Sequence, residues 1–355
     1  RCASATRTSS ALLALVAAQD ILIGELERFA DPAIQGVEGR DGYLQQVDVG
    51  ANVVGVIPGG DLDDEWVIIG AHYDHIGNDC VTADPADDIC NGATDNATEV
   101  AVEMDTARAI AAAGTPRRSV LVAFWDAEED GLLGAEAYLA DPLVPIESTV
   151  AYLNFDIQGA NLLPATANST VMVGAETGGA PLIAAASAAT EASSLDTLPL
   201  SLLFGQGRSD HAPFVRSGVP SVFFTDANNA CYHTAQDEID IVDFPKLEQQ
   251  TLTAIALALD LVATDDPPVF DPAAPATTYQ DAAALYALVS AAQADLALLD
   301  AEGQAAAEQY IVDLGAVVDA GPEAFDDAAI GIVLGGAVTF VDALTRGTCD
   351  GYVTD

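Results

Sequence analysis

Four histidines are scarce chemistry-bearing residues of the chain: His72, His75, His211 and His233. His72 and His75 lie in GAHYDH, directly after the β-branched run WVIIG, and His233 lies in CYHT, soon after PSVFFT. In an open α/β sheet, ligands and catalytic groups gather outside the carboxyl ends of the strands, and these three histidines fall at such ends. The acidic residues sort in the same way. Glu128 and Glu129 follow the apolar run SVLVAFW, Asp156 ends TVAYLNFD, and Asp95 opens a helix in NGATDNATEV. Taken singly, each has an ordinary reading. Asp95 reads as an N-cap, Asp156 as a strand-end turn residue, and a lone histidine as a structural one. Taken together, His72, Asp95, Glu129, Asp156 and His233 are two imidazoles and three carboxylates. That inventory suits two zinc ions sharing one carboxylate, set about 3.5–4 Å apart so that both act on one water and one carbonyl. The stretch FWDAEEDGLLG sharpens the point. Asp126, Glu128, Glu129 and Asp130 crowd together where a buried strand ends, and carboxylates repel one another. Either they are solvated or a cation holds some of them. Asp126 and Asp130 read as turn and helix-start residues.

The elements that must position these groups are legible in outline. Residues 9–30 read as a helix. ALLALVAA at its start also has the length of a short signal h-region, but it continues into ILIGELERF as one amphipathic segment. The helix is the preferred reading, and it makes the chain as given a mature one. NVVGVIPGG (52–60), WVIIG (66–70), SVLVAFW (119–125), TVAYLNFD (149–156), TVMVG (170–174) and PSVFFT (220–225) read as strands. Helices are expected over 98–113, from 132, over 180–193 and over 244–262. Alternating strands and helices imply an α/β fold with a mostly parallel, mixed central sheet covered by helices on both faces. At 264 the texture changes. TDDPPVFDPAAPATT is a Pro/Asp/Ala linker, followed by Ala-rich helical segments at roughly 278–300, 302–319 and 322–346. The expected organisation is a catalytic domain over 1–263, a linker over 264–278 and an all-helical appendage over 279–355. The appendage has room to cap the active site, mediate self-assembly or cover an apolar sheet edge.

The chain of 355 residues is 50% hydrophobic, ample for a large core, yet carries 55 acidic against 11 basic residues, with Lys246 its only lysine. A formal net charge of −44 repels nucleic acid and anionic membranes, which excludes both as partners. It fits either a halophilic habitat or a soluble secreted protein. No run reads as a membrane span of ~20 apolar residues. Cys80 and Cys90 flank an Asp-rich loop and are spaced for a short bridge, Cys2 and Cys349 are placed to pair near the ends, and Cys231 would then be free. Disulfides point to a secreted, extracellular, periplasmic or cell-surface protein. The loop Gly77–Asn91 reads as solvated, with a lid or a calcium site as the alternatives.

Six blocks in order, GAHYDH, NGATDNATEV, FWDAEEDGLLGAEAY, LNFDIQG, SDHAPFVRSGVPSVFF and CYHTAQDE, resemble the signature blocks of metallopeptidase family twenty-eight. These are the co-catalytic zinc aminopeptidases related to glutamate carboxypeptidase, with the zinc-exopeptidase, phosphorylase/hydrolase-like fold. The blocks span residues 66–238, and their joint occurrence is far more specific than any one. The resemblance implies two zinc ions. His72 and Asp156 would bind one, Glu129 and His233 the other, and Asp95 would bridge them. Glu128 would be the general base, Asp74 would orient the His72 imidazole, Tyr232 would hydrogen-bond the developing oxyanion, and Arg208 would contact a substrate carboxylate. His75, Asp210 and His211 read as scaffold. The ligand set also accepts cobalt or manganese. The segment between the first helix and NVVGVIPG is shorter than in many members, which bears on one pocket wall and not on the metals.

The expected activity is hydrolysis of N-terminal peptide bonds in a peptide or protein substrate. A carboxypeptidase or dipeptidase of the same fold is the nearest alternative, since a substrate carboxylate calls for arginine where a free amine calls for an acidic pocket. A non-catalytic binding or assembly module is the alternative from another class, and the presence of all five ligands and the base argues against it.

Overall fold

The computed structural model describes residues 9–48, 50–78, 80 and 86–349. The strands are β1 (Asp31–Pro32), β2 (Leu44–Val47), β3 (Gly50–Ile57), β4 (Leu62–His72), β5 (Arg118–Trp125), β6 (Thr149–Phe155), β7 (Ser169–Val173), β8 (Asp196–Leu200) and β9 (Ser221–Thr225). The helices are α1 (Ser9–Leu26), α2 (Thr98–Ala112), α3 (Leu133–Ala140), α4 (Gly179–Thr190), α5 (His211–Arg216), α6 (Phe244–Ala263), α7 (Tyr279–Ala291), α8 (Ala301–Ala320) and α9 (Asp327–Thr345). All strands join one sheet in the order β1-β3-β5-β4-β6-β9-β7-β8, with β2 pairing β3. The centre, β5-β4-β6-β9, is parallel, and β3 and β7 flank it antiparallel.

The centre is parallel because its strands are apolar on both faces and each must be covered twice. All eight residues of β5 are buried. Val120, Val122 and Phe124 pack into one layer with α1, α2, α4 and α6. Leu121, Ala123 and Trp125 pack into the opposite layer with Tyr138 of α3 and Phe214 of α5, the period-two alternation of a pleated strand. On that second face Tyr152 stacks on Phe214 with ring centroids 3.9 Å apart. Register levels the carboxyl ends of the parallel strands: His72 pairs Trp125 and Phe155 pairs Phe224. The loops that follow β4, β5, β6 and β9 therefore leave the sheet along one edge.

Several elements depart from the sequence reading, β1 and β2 among them, since no strand was expected before residue 52. β8, with the sequence DTLPL, was not expected, because Pro199 removes a ladder donor. Its place at the sheet edge tolerates that loss. The short α5 was not expected within SDHAPFVR. The first helix ends at Leu26, four residues early, where Phe29 and Ala30 close it with turn hydrogen bonds to Leu26.

After β9 the described residues form helices only, and α7, α8 and α9 share one hydrophobic cluster with Leu162, Val171, Leu200, Phe223 and Ile241 of the sheet region. The helices are capped as their sequences allow: Asp300 accepts from the Gly303 N–H, and Asp326 from those of Ala328 and Ala329. α9 is the one helix among the described residues long and apolar enough, by length and composition alone, to cross a membrane, with mean hydropathy 1.8. Val333, Ala337, Phe340, Ala343 and Leu344 are nevertheless buried against its neighbours.

The cysteines bring a correction. Cys80 pairs with Cys90 as expected. Cys349, however, pairs with Cys231 across 118 residues of sequence, so Cys231 is not free. The expected partner Cys2 lies outside the described residues, as do Asp79 and residues 81–85 of the loop considered for calcium.

Candidate metal centre and active site

The five residues singled out as metal ligands converge. His72 ends β4, with its Nε2 3.2 Å from Asp95 Oδ1 and 3.6 Å from Asp156 Oδ1. His233 Nε2 lies 3.2 Å from Asp95 Oδ2 and 3.1 Å from Glu129 Oε2. Each carboxylate oxygen of Asp95 thus faces a different imidazole and a different second carboxylate. Asp95 Oδ2, Glu129 Oε1, Asp156 Oδ1 and His233 Nε2 are buried atoms without a hydrogen-bond partner among the described residues. Buried polar atoms are nearly always satisfied, and such a cluster aimed at common points fits cations. Nitrogen and carboxylate oxygen in groups of three are the donors zinc accepts. His72, Asp95 and Asp156 lie close enough to share one ion, and so do His75, Asp95 and Glu129.

The backbone that carries these groups is held hard. Asp237, buried and near the end of CYHTAQDE, accepts from the Thr94 N–H and hydroxyl and from the Asp95 N–H, at 2.8–3.1 Å. Asn96, after a cis Asp95–Asn96 peptide bond, donates its amide to the Phe155 carbonyl. Ala127, Ile157, Ala227 and His233 all have left-handed φ of 58–61°, a conformation that costs a residue with a Cβ roughly 1–2 kcal/mol. All four follow β5, β6 or β9, and strain of this kind persists only where the surroundings enforce it. At Ala127 it turns the chain so that Glu128 and Glu129 diverge. The charges of FWDAEEDGLLG separate accordingly. Asp126 is fully buried and accepts from the Ala51 N–H at 3.0 Å, tying β5 to β3, while Asp130 is exposed.

The His72 ring is fixed from behind. Its Nδ1 lies 3.0 Å from the Asp74 carbonyl oxygen and 3.6 Å from the Asp74 carboxylate. A proton on Nδ1 donated to that carbonyl leaves the Nε2 lone pair facing Asp95 and Asp156, as ligation requires. Asp74 does a second job, accepting the Glu128 N–H at 3.0 Å. The carboxylates also draw protons onto the imidazoles. Burial alone would lower the His233 pKa, but the Asp95 and Glu129 carboxylates outweigh it and raise it to about 9. His72 moves up in the same sense, burial being overcome by Glu128, Asp156, Asp74 and Asp95. Burial raises the Glu128 carboxyl to about 10, with the charges of Asp156, Asp210 and Asp95 adding to it against the pull of His72.

Asp95, Glu128, Asp156, Tyr232 and Arg208 line one open cavity together with Ile157, Phe204, Phe223 and Val341. Tyr232 stacks on the His233 ring at 3.7 Å. Burial, and then the Asp95 charge, push its phenol up and keep it a donor. Arg208 is exposed at the cavity. Every other arginine among the described residues has a carboxylate within ion-pair distance, and Arg208 has none.

Two of the three residues read as scaffold stay outside the ligand groups. His211 is buried against Phe223 at 4.5 Å, with its pKa lowered to about 4 by that burial. Asp210 is buried with its pKa raised to about 8, again chiefly by burial. His75 does not stay outside. Its Nδ1 lies 2.8 Å from Glu129 Oε1 and 3.8 Å from Asp95 Oδ2. Gly92, at φ +68°, leaves room for it, since a Cβ there would sit 2.5 Å from the His75 ring. Asp237 has no role in the sequence reading, where its one signal is an acidic residue four positions after His233.

A family model described as peptidase family M28 matches residues 52–258, more than half of the chain, and the chain belongs to that family. Its curated relatives include a probable zinc metalloprotease of Leptosphaeria maculans, 27% identical over 65% of this chain and 61% of that protein. They also include the leupeptin-inactivating enzyme 1 of Streptomyces exfoliatus, 26% identical over 59% of this chain and 48% of that protein. The chain thus spans about half to three-fifths of the length of these two relatives. Among solved structures, the LapA aminopeptidase of Legionella pneumophila superposes with a TM-score of 0.57 at 20% identity, covering 74% of this chain and 68% of that one. At that identity the likeness is one of fold.

Proposed function

We propose that this protein is a secreted zinc-dependent exopeptidase, an aminopeptidase that removes residues from the N-termini of peptides. The observation that carries the reading is the pair of nitrogen–oxygen groups divided between the two oxygens of Asp95. His72 and Asp156 would hold one zinc ion, His233 and Glu129 the other, and Asp95 both. Bound zinc would supply Lewis acidity, lowering the pKa of water toward neutrality and polarising a carbonyl.

The remaining work belongs to side chains. Glu128 lines the cavity beside Asp95 and Asp156, and its backbone is fixed by Asp74. It is placed to take a proton from the attacking water and return it to the leaving amine. Tyr232, kept protonated, offers its hydroxyl to the oxygen on which negative charge develops. The acid-rich wall favours a free amine at the substrate's end. The two disulfides support export, since such bonds persist in oxidising compartments.

The test is hydrolysis of aminoacyl p-nitroanilides by the purified chain. Activity is expected to vanish with a chelator and return with zinc; activity indifferent to chelation would sink the reading. The unpaired Arg208 supports a second reading, a dipeptidase or carboxypeptidase in which this guanidinium receives the substrate's carboxylate. That reading wins if free dipeptides are cleaved and their C-terminal amides are not.

A further inference from the structure

The helices that follow the sheet are built into the active-site cavity. Val341 of α9 lines the same space as Asp95, Glu128 and Asp156, and it joins the apolar members of that mixed lining, Ile157, Phe204 and Phe223. The position of α9 is fixed from the site itself. Cys349, four residues past its end, is bonded to Cys231, which directly precedes Tyr232 and His233. Gly347 comes so near the same loop that a Cβ there would lie 3.3 Å from that of Ala230. The facing rim is tied to α7. Buried Asp281 accepts from the Ser201 N–H at 2.6 Å and from its hydroxyl at 2.8 Å. Ser201 leads directly into the turn Leu202–Gly205, whose Phe204 and Gly205 line the cavity.

We propose that Val341 forms a wall of the subsite that receives the side chain beside the cleaved bond, so that the C-terminal helices set which residue the enzyme accepts. The side chains favoured are aliphatic, because Val341 adds to the apolar part of the lining, Ile157, Phe204 and Phe223, where a buried polar group would lose its water. The inference rests on the exopeptidase reading for what the cavity holds. Selection by such a wall is steep: one methylene more or less in an apolar subsite changes discrimination by about 10–200-fold.

The experiment uses the full zinc-loaded chain, Val341→Ala and Val341→Phe. Calorimetry gives the ratio of dissociation constants for leucine hydroxamate and alanine hydroxamate, and the matching p-nitroanilides give the ratio of kcat/KM. Val341→Phe is expected to shift both ratios about tenfold toward alanine. Val341→Ala is expected to shift them several-fold toward larger side chains. If Val341→Phe fails to fold, as judged by thermal melting, Val341→Ala decides alone. Hydroxamate ratios within about twofold of the natural protein's, in variants that fold, overturn the proposal. Should the natural protein cleave no aminoacyl anilide, the aminopeptidase reading falls, and the hydroxamate ratios still decide whether Val341 is the wall.

Discussion

Adjacent glutamates at the end of β5 face different ways because the backbone between Trp125 and Glu129 is bent through a left-handed Ala127. Glu129 turns to His75 and His233, with oxygens 2.8 and 3.1 Å from their ring nitrogens. Glu128 turns to the cavity. Glu128→Gln should therefore lower kcat by about 10²–10⁴-fold while two zinc ions stay bound. Glu129→Gln should cost metal first, read as zinc content after dialysis; equal metal loss in both variants would refute the division. His75 extends the argument. It bears on Glu129 and on Asp95, and groups that orient a ligand carboxylate typically change metal affinity by 10–100-fold when removed. His75→Ala should weaken the Glu129-side ion by about tenfold in a zinc titration and leave the His72-side ion nearly unchanged.

Elements matter here through their ends. β4, β5, β6 and β9 supply the rigid edge: His72 ends β4, and Asp95, at the entry to α2, Glu129, Asp156 and His233 lie in the segments that follow these strands. Asp237 links that entry to the His233 loop. Lys246 of α6, the only lysine, is buried at 3.0 Å from Asp226 and donates to the Ala160 carbonyl, anchoring the chain just beyond β9. The Cys231–Cys349 bond adds a covalent tie from the same loop to the last helix. Cys349→Ser should lower the thermal midpoint, since a bond closing a loop of 118 residues is worth roughly 2–4 kcal/mol. It should also raise KM for leucyl substrates more than for alanyl ones. Unchanged KM values for both would show that the tie is structural only.

The whole molecule carries a net charge of −44 and gathers Asp95, Glu128, Glu129 and Asp156 at its centre. Without cations, the fold must hold protons there instead. The His233 pKa is raised to about 9, above the ordinary imidazole range, by the Asp95 and Glu129 carboxylates. A raised basic group contributes stability that is complete below its unfolded pKa and is lost as pH climbs through the folded one. Chelator-treated protein should therefore melt lower at pH 9 than at pH 6.5. The raised Glu128 carboxyl acts in the same direction, because the unfolded chain ionises it first as pH rises. Zinc should remove most of this dependence, since the cation takes the protons' place; differential scanning calorimetry with and without zinc checks both halves. A melting point of the chelated protein that rises with pH would contradict the assigned charges.

Much of this was legible in residue types alone. His72, Asp95, Glu129, Asp156 and His233 stood out because chemically able residues at strand ends are few, and the buried parallel strands announced themselves as unbroken apolar runs. A pleated strand or an amphipathic helix is dictated by neighbours a few positions away, so local pattern suffices for it. What local pattern does not contain is which distant loops meet. His75 looked like scaffold because nothing near it in the chain shows Glu129 2.8 Å away. Cys349 looked like a partner for Cys2 because pairing depends on where α9 ends in space, and that is beside Cys231. β8 was hidden by a proline that only an edge position tolerates. The C-terminal helices, apolar and without motif, became part of the cavity because their buried face needed the flank of the sheet to cover it, and that need is met only in three dimensions.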